Sequence, residues 1–325
     1  EHLREVAPNV TTVFQERRGG TGHATQLALA GTDISGTILI LAGDTPMLTG
    51  ESLKQLLATH HEGGFTASVL TAEHPEPTGY GRIIRGDDGS LLRIVEEKDA
   101  DEFEKAIEEI NSGVYAFDAV KLAGAIGKLR NDNAQGELYL TDVIEILRND
   151  GGKIAAVCIE DFTETLGVND RVQLAEAEAL LRDRINEDLM REGVTIVDPL
   201  STWVDSTAKI ERDVILMPGT AITGTTTVAS GAVVGPRSTL HNCTVGESAR
   251  VLESHIDLDR RIAAAVEDFA GVDFGDRGHV DWTFRFVLKG NSKGVPRLLQ
   301  AGLEETVALG HLVDLLEDLQ QRAHL

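Results

Sequence analysis

Leu39-Ile40-Leu41-Ala42-Gly43-Asp44-Thr45-Pro46 is a hydrophobic strand that stops at Gly-Asp. In an α/β sheet the carboxylate of such an aspartate projects from the C-terminal edge, where these folds bind ligands. Gly43 lets the backbone approach a bound group. Asp44 there suits a magnesium ion that keeps several waters and leaves positions for phosphate oxygens. Taken alone, the segment reads equally well as a helix N-cap ahead of Pro46.

Around this segment, short apolar runs alternate with helical patterns. Strands are expected at 11–14, 37–42 (buried), 65–71, 81–84, 91–95, 113–117 and 154–159. Helices are expected at 22–29, with Thr21 as N-cap, and at 53–60, 120–129 and 141–149. This rhythm predicts an α/β sheet with parallel strands. Residues 170–191 contain no Pro or Gly and read as a connector helix.

The pattern then changes. From Val204 an aliphatic residue recurs every six positions: Val204, Ile210, Leu216, Ile222, Val228, Val234 and Leu240. Two residues before each of the last six stand Ala208, Val214, Thr220, Thr226, Ala232 and Ser238. A six-residue period with an aliphatic inward position predicts a left-handed parallel β-helix, three hexapeptides to the coil. The phase slips at Gly246, where Val245 and Val251 come one position early. The repeat is expected to stop near Ser254. The tail beyond it has a glycine- and aromatic-containing stretch at 272–286. It closes on an amphipathic helix pattern carrying Leu303, Val307, Leu312, Leu315, Leu316 and Leu319.

Composition excludes several classes of function. The 325 residues call for more than one core. With 53 acidic and 30 basic residues, the net charge of −23 repels a phosphate backbone, so no nucleic acid is expected. The longest clean apolar run, residues 38–42, is far short of a membrane span. No membrane partner is expected, and a cytoplasmic address is. Cys158 and Cys243 are far apart in sequence, and the ten histidines lack metal-ligand spacing, so neither a disulfide framework nor a zinc site is expected.

Further segments bracket Asp44 in order. Gln15-Glu16-Arg17-Arg18-Gly19-Gly20-Thr21-Gly22-His23-Ala24 precedes it. Small residues at a helix start leave N–H groups free and make room for a planar base, and the Gln15 amide can meet both a donor and an acceptor on a pyrimidine edge. His23 reads as a helix surface residue. Downstream come Pro77-Thr78-Gly79-Tyr80-Gly81-Arg82-Ile83, Ile94-Val95-Glu96-Glu97-Lys98-Asp99 and Glu109-Ile110-Asn111-Ser112-Gly113-Val114-Tyr115. Last are Asn133-Ala134-Gln135-Gly136-Glu137-Leu138-Tyr139-Leu140-Thr141-Asp142 and Gly167-Val168-Asn169-Asp170. The segment 137–142 reads as scaffold, and Tyr80 and Arg82 as packing beside the pocket.

Over residues 1–254 this ordered set resembles the bacterial bifunctional N-acetylglucosamine-1-phosphate uridylyltransferase/glucosamine-1-phosphate acetyltransferase family, in an actinobacterial form. The resemblance implies a Rossmann-like nucleotide-diphospho-sugar transferase domain at 1–169, a connector helix at 170–192, a short β-helix at 193–254 and an unrelated mixed or helical tail at 255–325. It implies transfer of UMP from UTP to N-acetylglucosamine 1-phosphate, giving UDP-N-acetylglucosamine and pyrophosphate for peptidoglycan precursors. Gln15, Gly20 and Thr21 would hold uracil, and Ala42 and Gly43 would line the nucleotide. Gly81, Glu96 and Asn111 would contact the sugar. Asp44 and Asn169 would hold Mg2+ and should converge on one site, Asn169 also touching product.

Two departures set further expectations. The family's opening strand and glycine-rich phosphate loop have no match in this chain, so weak binding and slow turnover are expected of it. The later coils that carry the acetyl-CoA pocket also lack counterparts, so no acetyl transfer is expected, and the family's homotrimer is doubtful here. A non-catalytic nucleotide-sugar-binding fragment and a transferase for another sugar 1-phosphate are the alternatives.

Overall fold

The computed structural model describes residues 10–30 and 35–257. The 272–286 stretch and the helical pattern at 303–319 lie outside them. The chain divides into two compact units between Leu174 and Ala175.

The first unit runs α1 (Thr21–Leu29), β1 (Thr37–Ile40), α2 (Gly50–Glu62), β2 (Ala67–Glu73), β3 (Arg82–Arg85), β4 (Leu91–Val95), α3 (Glu102–Lys105), β5 (Glu109–Asp118), α4 (Ala119–Ile126), α5 (Asp142–Asn149) and β6 (Ile154–Ile159). The ten-residue β5 organises the sheet. It pairs antiparallel with β2 on one side and with β1 and β3 on the other. Parallel β6 extends the sheet beyond β2, and antiparallel β4 beyond β3. The sheet is therefore mixed, where the βα rhythm had implied parallel strands. The tight β3–β4 turn reverses the chain. The link from β4 to β5 holds only the one-turn α3, with no crossover helix to carry the chain back. β5 consequently runs with β4 and against β1, β2 and β6.

Alternation along the strands divides the side chains between two faces. Ala67, Val69, Tyr115 and Phe117 pack with α4 and α5 residues such as Leu122, Val143 and Leu147. Their neighbours Leu70, Ala72, Val114 and Ala116 pack on the other face with Leu53 and Leu56 of α2. Two further expectations change. Strand β1 is half-buried and ends at Ile40. Residues 11–14 form no strand: they have no ladder partner among the described residues, and Phe14 is 84% exposed. Hydrophobic, β-prone residues make a strand only where a sheet edge accepts them.

Helix α6 (Arg171–Arg191), in the second unit from Ala175 on, leads into a left-handed β-helix. Ile185 and Leu189 of α6 pack on its core, and buried Asn186 donates to the carbonyls of Pro199 (3.1 Å) and Thr202 (3.0 Å). The strands are β7 (Thr195–Ile196), β8 (Trp203–Val204), β9 (Lys209–Ile210), β10 (Ile215–Leu216), β11 (Ala221–Thr223), β12 (Thr227–Val228), β13 (Val233–Val234), β14 (Thr239–His241), β15 (Thr244–Val245), β16 (Arg250–Val251) and β17 (His255–Asp257). They stack in parallel as three faces. All seven aliphatic positions of the period are buried in one core. Val214, Thr220, Thr226, Ala232 and Ser238 are fully buried at the corners. There the Thr220 hydroxyl donates to Met217 O and the Thr226 hydroxyl to Thr223 O, both at 2.7 Å. The phase slip is a shortened coil: Thr223 meets His241 18 residues on, but Thr227 meets Thr244 only 17 residues on. The stack continues past Ser254, since Ile256 of β17 pairs with Leu240.

Candidate functional site

β1, β2 and β6 run one way, so their C-terminal ends share an edge of the sheet with the N-terminal end of β5. Most of the residues singled out in the sequence lie in the segments that leave this edge.

Asp44 lies in the turn after β1 and is exposed. It is not a helix cap: α2 begins at Gly50, and Thr49 caps it by accepting from Ser52 N at 3.2 Å. Among the described residues the Asp44 carboxylate has no hydrogen bond or ion pair. Its backbone carbonyl accepts from Val168 N at 2.8 Å, which pins the loop that follows β6. A Cβ on Gly167 would lie 3.8 Å from Asn169 Nδ2 and 3.9 Å from Asp44 Oδ2. The bare glycine thus keeps open a gap between a carboxylate and a side-chain amide. Beside it, a Cβ on Gly113 (φ +77°) would sit 3.1 Å from Ala42 Cβ, so these backbones approach closely. The Cβ direction of Gly43 faces open space.

The second cluster is Gly81, Glu96 and Asn111. Asn111 N donates to Gly81 O at 2.8 Å. A Cβ on Gly81 would lie 3.5 Å from Asn111 Cβ and 3.6 Å from Glu96 Oε2. Asn111 is held by its own strand, donating from Nδ2 to the Tyr115 hydroxyl at 2.7 Å. Burial, and then the nearby Glu96 charge, raise the Tyr115 pKa. Glu96 accepts from the Thr141 hydroxyl at 3.0 Å, and burial raises its own pKa. A cavity of about 210 Å³ flanks Glu96, lined among others by Asp99, Asp132, Tyr139, Asp142 and Glu145. There burial, followed by the Glu96 charge, pushes Asp142 up to about 6.

The third cluster is Gln15, Gly20 and Thr21, and here the expected detail changes. The N-cap of α1 is Gly20, without a side-chain cap bond, not Thr21. The Thr21 hydroxyl instead accepts from Leu140 N at 3.1 Å. Gly22 N is not free either: it donates to Leu138 O, and Leu138 N to Gly19 O, both at 2.8 Å. The glycines serve this strap, since a Cβ on Gly20 (φ +93°) would lie 2.5 Å from Leu138 O. Gln15 Nε2 lies 3.3 Å from Gly20 O and 2.9 Å from His23 Nδ1, so His23 braces Gln15 rather than only facing solvent.

The segment 137–142 is therefore scaffold with a consequence. Leu138 holds the Gly19–Gly22 backbone and Leu140 the Thr21 hydroxyl, while Thr141 next door holds Glu96. Sequence reading gave 137–142 as scaffold but not the bond from Thr141 to Glu96, and it gave Tyr115 no role as a support. The Thr141 signal was hidden because it stands where a helix cap is expected; it is the α5 N-cap, yet makes no side-chain cap bond. Tyr115 had no such signal, because its contact with Asn111 depends on the bulge between them, where Gly113 takes φ +77°. Tyr80 is more than packing: its hydroxyl accepts from Gly167 N at 3.4 Å, and its ring lies 5.3 Å from that of His74.

The arrangement offers an exposed carboxylate beside an amide for a hard cation, and a hydrogen-bonding cradle a few residues away for a polyhydroxylated group. The family profile described as Nucleotidyl transferase matches residues 1–206. The chain is 52% identical over 253 residues to the bifunctional protein GlmU of Streptomyces coelicolor, covering 77% of this chain and 52% of that protein. It is 50% identical over 253 residues to that of Streptomyces avermitilis, again with 77% and 52% covered. To that of Thermobifida fusca it is 47% identical over 256 residues, with 77% and 53% covered. The chain spans about half the length of the curated relatives it matches.

Proposed function

The chain belongs to the nucleotidyl transferase family, and from that premise we propose that its first unit transfers UMP from UTP to N-acetylglucosamine 1-phosphate. The products are UDP-N-acetylglucosamine and pyrophosphate. The observation that carries this reading is the proximity of Gly81, Glu96 and Asn111 at the same sheet edge as Asp44 and Asn169.

Each group has a role in this reading. Gln15, Gly20 and Thr21 hold the uracil, with the Leu138–Leu140 strap fixing the flanking Gly19 and Gly22 backbone and the Thr21 hydroxyl. Ala42 and Gly43 give the nucleotide an open, side-chain-poor wall. Gly81, Glu96 and Asn111 orient the sugar so that its phosphate approaches the α-phosphorus in line with the leaving pyrophosphate. No covalent enzyme intermediate is needed; positioning and electrostatics supply the catalysis. Asp44 would hold Mg2+ through its exposed carboxylate, and Asn169 would join through its amide oxygen once the side chain turns, since its Nδ2 now faces the gap. Oxygen ligands with solvent access suit a hard cation that keeps its waters. When bound, that ion neutralises charge on the phosphate oxygens.

The reading places the work in the cytoplasm, where UTP is available, as a step toward peptidoglycan precursors. Among the described residues no helix is long and apolar enough to cross a membrane. The test is pyrophosphate release with Mg2+ and UTP, with and without N-acetylglucosamine 1-phosphate, and with glucose 1-phosphate in its place. Slow release that depends on the N-acetylated sugar phosphate is expected. Equal release without it, or a preference for another sugar phosphate, overturns the assignment.

A further inference from the structure

Arg82 has no part in the chemistry above, yet its side chain is 1% exposed. Its guanidinium makes an ion pair with Glu97 (Nη2 to Oε2, 2.6 Å), donates from Nη1 to the Tyr80 carbonyl and reaches Lys105 O at 3.4 Å. Neither its Nε nor Glu97 Oε2 has a hydrogen-bond partner among the described residues, so Arg82 and Glu97 are joined by charge at close range. A buried ion pair is a poor source of stability, because desolvation offsets the attraction; a better-attested use is to specify one arrangement.

The register shows which arrangement. Arg82 pairs with Val95 of β4 on one side and with Ile110 of β5 on the other. Each sugar residue stands one step outside that row: Gly81 precedes Arg82, Glu96 follows Val95, and Asn111 follows Ile110. The guanidinium then holds the next positions out, Tyr80 and Glu97. Gly81 is thus bracketed by the Arg82 backbone and the bond to Tyr80, and Glu96 by the Val95 pairing and the ion pair of Glu97.

We propose that Arg82, with Glu97, is the positioning residue of the sugar subsite, holding Gly81 and Glu96 in the register that accepts the N-acetylglucosamine ring. Sugar recognition then depends on a group that touches no sugar. The inference rests on the functional reading above. A lysine at 82 would keep the charge but lose the planar fork that reaches Tyr80 and Glu97 together.

The test measures dissociation constants for UDP-N-acetylglucosamine and for UDP by calorimetry, on the unaltered chain and on Arg82→Met, Arg82→Lys and Glu97→Gln. Arg82→Met should weaken UDP-N-acetylglucosamine by at least about tenfold while UDP moves by less than about twofold, since misplacement alone degrades a preorganised site. Arg82→Lys and Glu97→Gln should shift the same ratio by less. Equal weakening of both ligands points to a merely structural role and overturns the proposal, as does no change in either. Should Arg82→Met not fold, Glu97→Gln decides by the same ratio, because it leaves the arginine in place. If the unaltered chain binds neither ligand, the functional reading itself falls, and this inference with it.

Discussion

The β-helix and the ligand-facing edge of the sheet hold their residues in opposite ways. In the β-helix the buried aliphatic side chains stack on near-equivalents in neighbouring coils, as Ile222 does between Val204 and Leu240. The same contact is repeated coil after coil. At the sheet edge nothing repeats. Segments near positions 20, 44, 81, 96, 111, 140 and 168 meet through single bonds: Val168 N to Asp44 O, Asn111 N to Gly81 O, the Thr141 hydroxyl to Glu96. Repetition makes a region robust and legible; single long-range bonds make it specific and hard to read. Stability and function should therefore separate when each region is altered.

The largest expected effect is on stability. Leu216 is 0% exposed in the β-helix core. Leu216→Ala should cost about 2–5 kcal/mol, seen in denaturant unfolding, with UDP-N-acetylglucosamine binding unchanged while the first unit stays folded. A variant that keeps its stability would show that the coils do not share one core.

The strap gives a mixed effect. A Cβ on Gly22 would lie 2.5 Å from Leu129 Cδ1 and 2.8 Å from Leu138 O. Gly22→Ala should destabilise by about 1–3 kcal/mol through overpacking. It should also weaken UDP binding, because the same backbone carries Gly20 and Thr21. Loss of stability with no change in UDP affinity would detach the strap from the uracil site.

The smallest effect concerns pH. Asp142, pushed up to about 6 chiefly by burial, keeps its proton in the folded state after the unfolded chain has lost it. Its contribution to stability is present at low pH and declines as pH rises from the ordinary aspartate range, near 4, through 6. Asp142→Asn should flatten that part of the melting-temperature profile and raise the melting temperature at pH 7. An unchanged slope between pH 4 and 6 would mean that the acidic cavity carries no such load.

The same contrast explains what could be read in advance. The hexapeptide period placed all seven core aliphatics, because one rule acts on each coil; only the shortened coil at Val245 and the extra strand at Ile256 departed from it. In the α/β unit, 91–95 and 154–159 were legible from their apolar runs. The mixed order of the sheet was not, because it depends on where the β3–β4 turn sends the chain. The residues proposed for the site stand in the sequence as an ordered set of motifs. What their scaffold holds was not legible: Thr141 and Leu138 act on partners 45 and more residues away, and no local pattern records a hydrogen bond of that reach.

The central claim is that the exposed Asp44 carboxylate serves the reaction and not the fold. Pyrophosphate release from UTP and N-acetylglucosamine 1-phosphate, compared between the unaltered chain and Asp44→Ala at saturating Mg2+, tests it most directly. The account predicts a fall of at least about 100-fold, the usual cost of removing a preorganised electrostatic group, with the melting temperature unchanged. Equal rates from the two proteins would contradict it.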